Sequence, residues 1–358
     1  MAKYNIYVTG LNVTNDPCSG LEVIRCLKEI GDSSIKIIGL AYGVLDGVAF
    51  LEHLVDEVYT IPSHLDNEEA FLSRLGEIVD PQKINILLPN LDFEIEAFAN
   101  LTHELKDLGL NVLLPKVAAV EFCKQENIVA LSQKTGILCP YSFPIYCPSQ
   151  INNAITALPY PVVVKGAKGD SVVVYTYQEA IVFIERMAQR WGWPIVLQSF
   201  ILGDEFSVVA LADRRHRVLG SVCMKRMVKS KNHAIWMGAT VHEETCIALA
   251  KKIVSEIQWV GPIEINIIKL TDAPTYYLSE VYPRFPSWIQ LACKAGCNLV
   301  KSAILLALKK EVDACEEYKT GIIFSRSEME FTCDIGQLAK LTLEKELIHH
   351  GHTHVSTS

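Results

Sequence analysis

Over the first 115 residues, short apolar runs alternate with stretches in which apolar side chains recur every three or four positions. Residues 5–8, 35–40, 58–61, 84–88 and 112–114 read as strands, 21–29, 70–78 and 95–108 as amphipathic helices, and 49–54 as a further short apolar element. Such alternation predicts an open, mainly parallel sheet covered by helices. The loop Thr9-Gly10-Leu11-Asn12 lacks the G-x-G-x-x-G spacing that brings amides against a dinucleotide pyrophosphate, so the expectation is a Rossmann-like domain without an NAD signature. Pro89-Asn90-Leu91-Asp92 falls at the carboxyl edge, where open sheets place ligands, although these are also ordinary turn formers.

The pattern then changes. Residues 116–135 read as a helical connector that contains Cys123-Lys124-Gln125-Glu126 and closes at Gly136. An apolar strand over 160–165 ends on Lys165, and Gly166-Ala167-Lys168-Gly169-Asp170-Ser171 leads into a second strand over 172–175. Glycines allow close backbone approach to a phosphate and the lysines supply charge, so this reads as a flap over a polyphosphate or as a plain hairpin with a basic turn. It is not a P-loop, since no GxxxxGK[ST] occurs. After a helix over 177–190, the buried strand 195–201 ends in apolar residues suited to a purine face. Glu205 opens the next strand over 206–211, and a basic stretch occupies 224–231. A helix over 245–257 precedes two alternating runs, 263–267 and 276–278, on either side of Thr271-Asp272-Ala273-Pro274, which predict an antiparallel hairpin. Alternation puts Glu264 and Asn266 on one face, with Glu280 closing the second strand before Tyr282-Pro283-Arg284. Oxygen ligands beside a guanidinium suit Mg²⁺ and a phosphate, while the competing reading is a half-solvated sheet face.

Composition narrows the classes. The 358 residues are half hydrophobic and carry a formal net charge of -8, so an ordered globular chain is expected, with no basic balance for nucleic acid or acidic membranes. No apolar stretch reaches the length of a membrane span, and the cytoplasm is the expected compartment. The 11 cysteines show no CxxC pairs and read as reduced thiols, Cys293 and Cys297 included. The His-rich end reads as a frayed polar tail.

Taken in order, these elements resemble the ATP-grasp superfamily to about residue 325, most of all its carbamoyl phosphate synthetase large-subunit and biotin carboxylase types. The resemblance implies an α/β plus α+β architecture. A Rossmann-like preATP-grasp domain would occupy 1–115 and a helical connector 116–136. A small ATP-grasp subdomain would occupy 137–198, a large one 199–325, and an extension and tail 326–358. It further implies ATP and Mg²⁺, with Mn²⁺ as an alternative ion. Lys124 and Lys165 match the family lysines on the ATP phosphates, and Gly169 and Ser171 lie in the phosphate flap. Gln198, Ser199, Phe200 and Ile201 match the hinge that receives adenine, Glu205 the ribose-binding acid, and Lys225 and Arg226 a basic catalytic pair. Glu280 falls on the metal-bridging acid and Arg284 on the arginine facing the transferred phosphate. Asn266 stands where the family has Glu or Gln. Tyr282 replaces a metal-binding Asn, and a neutral phenol is a poor metal ligand. Glu264 is an additional metal candidate from strand alternation alone.

The activity implied is a carbon–nitrogen ligase that joins a carboxylate, from an amino acid, peptide or small acid, to an amine through an acyl phosphate. A homodimer is expected by analogy. Tyr282, Asn266 and the short flap keep a second expectation open, a noncatalytic ATP-binding regulatory or scaffold subunit, and a third is a small-molecule binder that does not use ATP.

Overall fold

The computed structural model describes residues 3–12, 19–166, 170–229, 235–327 and 332–349. Strands β1 (Tyr4–Val8), β2 (Ile35–Ala41), β3 (Glu57–Thr60), β4 (Ile84–Leu88) and β5 (Leu110–Val112) form the parallel sheet that the alternating pattern predicts, in the order β3-β2-β1-β4-β5. Helices Gly20–Lys28 and Glu68–Ile78 are among its crossovers. The helix expected over 95–108 is two, Asp92–Asn100 and Thr102–Asp107. At the break, the Thr102 hydroxyl donates to the Ala99 carbonyl at 2.8 Å and competes with the helical bond pattern. The apolar element over 49–54 is a single 3-10 turn, Gly47–Phe50, followed by irregular chain.

Strands β6 (Ser142–Ile145), β7 (Val162–Lys165), β8 (Ser171–Val174) and β9 (Ile195–Ser199) make a small antiparallel sheet in the order β6-β9-β7-β8. Its apolar face, including Val162, Val164, Val174, Ile195 and Leu197, closes with Ile184 into a core of its own. The chain leaves this sheet after Ser199 and enters a larger one at Gly203.

The large sheet comprises β10 (Gly203–Ala212), β11 (Val218–Lys229), β12 (Ile235–Thr240), β13 (Gly261–Leu270), β14 (Tyr276–Tyr282) and β15 (Ile323–Ser325), in the order β14-β13-β10-β11-β12-β15. One face, with Phe206, Val208, Ile263 and Ile265, buries itself against helices Ile128–Thr135 and Glu244–Glu256. On the other face Val209, Leu211, Val222 and Met224 share one core with Ile6, Val8 and Ile86 of the parallel sheet. The parallel sheet and the large sheet are thus welded by common burial, whereas the small sheet carries a separate core.

Residues 332–349 return to the start of the chain. Helix Ile335–Leu343 leads to β16 (Glu346–Ile348), which pairs antiparallel with β3 and makes it an interior strand. Cys297 and Cys315, which the sequence does not mark as a pair, lie side by side, because Cys315 is carried back along Gly220 to the loop before helix Leu299–Ala307. Among the described residues no helix is long and apolar enough to cross a membrane.

Candidate functional site

The face of the large sheet that carries Val209 and Leu211 turns polar towards its other end. Glu205 and Ser207 precede Val209 on β10 with the same parity, and β13 sets Asn266 opposite Ser207 and Glu264 opposite Val209. On β14, Glu280 lies opposite Asn266 and Tyr282 opposite Glu264. The register then slips, because Ile267 pairs with Leu278 and leaves Ser279 as an extra residue, a bulge that turns its carbonyl and hydroxyl out of the ladder.

The small sheet reaches this point through Lys165, the last residue of β7. Its ammonium lies 3.1 Å from Glu280 Oε1, 3.2 Å from the Ser279 carbonyl and 3.4 Å from Ser279 Oγ. Asn266 Nδ2 donates to Glu280 Oε2 at 3.0 Å, and the Tyr282 hydroxyl donates to the same oxygen at 3.2 Å. Ser207 Oγ donates to Asn266 Oδ1 at 2.8 Å and accepts from Arg226 Nε at 2.8 Å. Burial alone would raise the Glu280 carboxyl. Lys165 and Arg226 outweigh it, with the Asn266 hydrogen bond, and hold it at about 2. Burial raises the Tyr282 phenol, and the Glu280, Glu264 and Asp92 carboxylates raise it further, so it is a neutral donor.

Other expected site residues lie around this core. Glu264 is buried and accepts from Trp288 Nε1 at 2.8 Å, and burial pushes its carboxyl up against the opposing pull of Arg226. Glu205 accepts from Arg226 at 3.5 Å and from Lys229. Arg284 stacks over the Tyr282 ring, 5.2 Å from its centroid, and meets Asp92 of the parallel domain at 2.9 Å. Gln198 is buried and donates to Ser142 Oγ at 2.8 Å, while Phe200, the residue after β9, is 36% exposed on the crossing between the two sheets with Ser199 and Ile201 beside it. Ser171 pairs with Lys165 across the β7–β8 hairpin; Gly169, Lys168, Ser230 and Lys231 lie outside the described residues, as does the tail from 350.

Two expectations need correction. Lys225 does not join Arg226, because adjacent strand residues point to opposite faces; its ammonium pairs with Asp204 at 2.9 Å on the far side of the sheet from Asn266. Lys124 is not on a continuous connector helix. It is an extended residue between the 3-10 turns Glu121–Cys123 and Gln125–Asn127, where it pairs with Glu121 at 2.6 Å and Glu96 at 3.1 Å. Its neighbour Gln125 donates to the Ser279 carbonyl at 3.3 Å. Ser207, Ser279 and Trp288 were not anticipated. Ser207 was within reach, being two residues from Glu205 and so on its face.

The donor set bears on a metal. Three of the roughly four acceptor positions of the Glu280 carboxylate and one of the two on Asn266 Oδ1 are filled, which leaves an ionised oxygen and an amide oxygen together. That suits one hard cation completed by phosphate and water. Among the described residues no group of three His, Cys, Asp or Glu forms a richer site. A narrow apolar crevice lined by Pro89, Ile95, Pro262, Pro283 and Phe285 among others has none of these residues in its walls.

A small antiparallel lobe whose strand-end lysine meets the acid of a large-lobe hairpin, beside a Rossmann-like domain, defines a class: the chain has the ATP-grasp fold. Residues 193–329 match the family model described as ATP-grasp in the biosynthetic pathway with Ter operon. A 156-residue segment, 41% of this chain, is 28% identical to phosphoribosylamine–glycine ligase of Synechocystis sp. and spans 37% of that relative's length. Among solved structures, the biotin carboxylase domain dimer of Hydrogenobacter thermophilus 2-oxoglutarate carboxylase, in complex with MgADP, ADP and bicarbonate, superposes with a TM-score of 0.65 at 17% identity, covering 87% of this chain and 71% of that one. L-amino acid ligase from Bacillus licheniformis superposes with a TM-score of 0.63 at 19% identity, covering 88% and 77%.

Proposed function

We propose that the protein is an ATP-dependent carboxylate–amine ligase. The observation that carries this reading is the 3.1 Å pair of Lys165 and Glu280, which brings a cation of the small lobe and an ionised acid of the large lobe to one cleft. Lys165, Lys124 and Arg226 would neutralise phosphate charge, Phe200 and the backbone of Ser199 and Ile201 would receive adenine, and Glu205 the ribose after release from Arg226 and Lys229. Glu280 and Asn266 would hold Mg²⁺, which supplies charge neutralisation on the phosphoryl oxygens when bound. The reaction has two steps. A carboxylate oxygen attacks the γ-phosphorus and ADP leaves; an amine then attacks the acyl carbon and phosphate leaves. Arg284 would hold the carboxylate and the migrating phosphoryl group in line, and closure of the small lobe would exclude water.

The test is ADP release with MgATP and a panel of amino acids, short peptides and small acids paired with amines. Glu280→Gln should lower substrate-dependent ADP release by about 10²–10³-fold, with the denaturant midpoint recorded to exclude unfolding. Wild-type turnover in a folded Glu280→Gln protein refutes the assignment.

One observation favours the second reading, a noncatalytic nucleotide-binding subunit: the Tyr282 hydroxyl already occupies a Glu280 oxygen. Under the ligase reading Tyr282→Asn replaces a bulky donor with a smaller amide and should strengthen the Mg²⁺ dependence of ADP affinity. Under the second reading, ADP binds with little Mg²⁺ dependence in both proteins and no panel member is turned over.

A further inference from the structure

We propose that the carboxylate substrate is an α-amino acid with an apolar side chain, bound as a zwitterion between Asp92 and Arg284 and read along Phe93 and Tyr42; this rests on the ligase reading above. Asp92 opens the helix that follows β4, at the carboxyl edge of the parallel sheet, and Arg284 follows β14. Arg284 Nε lies 2.9 Å from Asp92 Oδ1, and a second nitrogen is 3.4 Å from Oδ2, so the pair ties the parallel domain to the acid-bearing hairpin. The Asp92 side chain is 48% exposed and that of Arg284 17%, so a ligand can approach the pair from the Asp92 side. A zwitterion exchanges with it at constant charge: the ligand carboxylate goes to Arg284 and its ammonium to Asp92. A plain acid would strand Asp92 and a plain amine would strand Arg284, each losing a charged hydrogen bond. Arg284 stacks on Tyr282, whose hydroxyl meets Glu280, so the carboxylate that it receives is beside the groups proposed to hold ATP.

The neighbouring wall is aromatic. Phe93 is 38% exposed, with the Tyr42 ring 5.8 Å away on one side and the His64 ring stacked at 5.7 Å. His64 is buried among Phe71, Phe93 and Phe98 and neither of its nitrogens reaches the surface, so what the wall presents outward is the Phe93 ring. One buried carboxylate locks this geometry. Glu94 accepts from the Tyr42 hydroxyl at 2.7 Å, from Thr9 Oγ1 at 2.5 Å and from the Asn90 and Leu91 amides at 3.1 Å. Tyr42 and the helix start that bears Asp92 and Phe93 are therefore fixed relative to each other before any ligand arrives.

Calorimetric titration of the full chain saturated with MgADP tests this, using L-phenylalanine, L-leucine, L-glutamate, 3-phenylpropanoate and 2-phenylethylamine. Phenylalanine and leucine should bind at least about tenfold more tightly than glutamate and than either singly charged analogue. Asp92→Asn should bring the ratio of phenylalanine to 3-phenylpropanoate affinity close to one, and Phe93→Ala should weaken phenylalanine about tenfold while changing L-alanine little. Equal binding of phenylalanine and 3-phenylpropanoate by the wild type, an unchanged ratio in Asp92→Asn, or normal MgADP binding with no amino acid binding overturns the proposal and leaves the ligase reading standing. Failure of MgADP itself to bind overturns the ligase reading and this one with it.

Discussion

Glu280 and Glu94 are carboxylates withdrawn from water, and their neighbours drive them in opposite directions. Glu280 faces two fixed cations and stays ionised down to about 2. Glu94 has only hydrogen-bond donors, from Thr9, Tyr42, Leu91 and Asn90, and burial outweighs them to lift it to about 7. The sign of the pH dependence follows. Glu280, depressed in the fold, contributes stability above its ordinary value near 4.5 that is lost as pH falls towards 2. Glu94, raised in the fold, contributes stability below 4.5 that is lost as pH rises through 7. Each limb amounts to roughly 3 kcal/mol at most. Urea denaturation from pH 2 to 8 should show the upper limb flatten in Glu94→Gln and the lower limb flatten in Glu280→Gln. A Glu94→Gln curve parallel to the wild type between 4.5 and 7 contradicts the first of these. Alternation alone was enough to expect Glu264 and Asn266 on one face, which the pairing shows. The same rule, applied to neighbours 225 and 226, separates Lys225 from Arg226, so a basic pair in sequence is not a pair in space. No pattern marks Ser279, because a bulge is one residue of slippage between two regular strands.

At the scale of elements, β10 and β13 run together over their full lengths and bring Glu205 and Ser207 level with Asn266. Gly203 begins that pairing where a Cβ would stand 2.1 Å from the Lys269 carbonyl oxygen, far inside contact distance. Gly203→Ala should therefore push the start of β10 away from the end of β13 and destabilise by about 1–3 kcal/mol, read as a lower denaturant midpoint at constant slope. ADP affinity should fall as well, since Glu205 is two residues on. A midpoint equal to wild type shows that the two strands yield there without cost. The antiparallel hairpin was legible because two alternating runs flank a Thr-Asp-Ala-Pro turn. The segment around Lys124 was not, because its apolar spacing suits a helix while the chain instead breaks into two 3-10 turns about an extended lysine.

At the scale of the molecule, shared burial divides the fold into two bodies. The parallel and large sheets enclose one core, so Asp92 and Arg284 are carried by a single body, while the small sheet with its own core bears Lys165. The parallel sheet with its covering helices follows from the strand–helix alternation, and that much was readable from apolar spacing, whereas the order of its strands is set by tertiary packing. The sixth strand was not, since Glu346–Ile348 is only three residues within a polar end and is recruited by an edge almost the whole chain away. Ending the chain at residue 327 should unpair β3 and expose Leu341 and Leu347 contacts, with a loss of about 3–6 kcal/mol for two buried leucines. Thermal unfolding of the truncated protein measures it, and an unchanged midpoint denies these residues any part in stability.

That returning strand also sets an order of events during synthesis. β3 is synthesised long before β16, and its outer edge must wait some tens of seconds, at ordinary elongation rates, for that partner. For that interval the nascent protein presents an open row of peptide groups, an invitation to chaperones and to neighbouring nascent chains alike, and the amino-terminal unit reaches its final form only once residues 346–348 have been made.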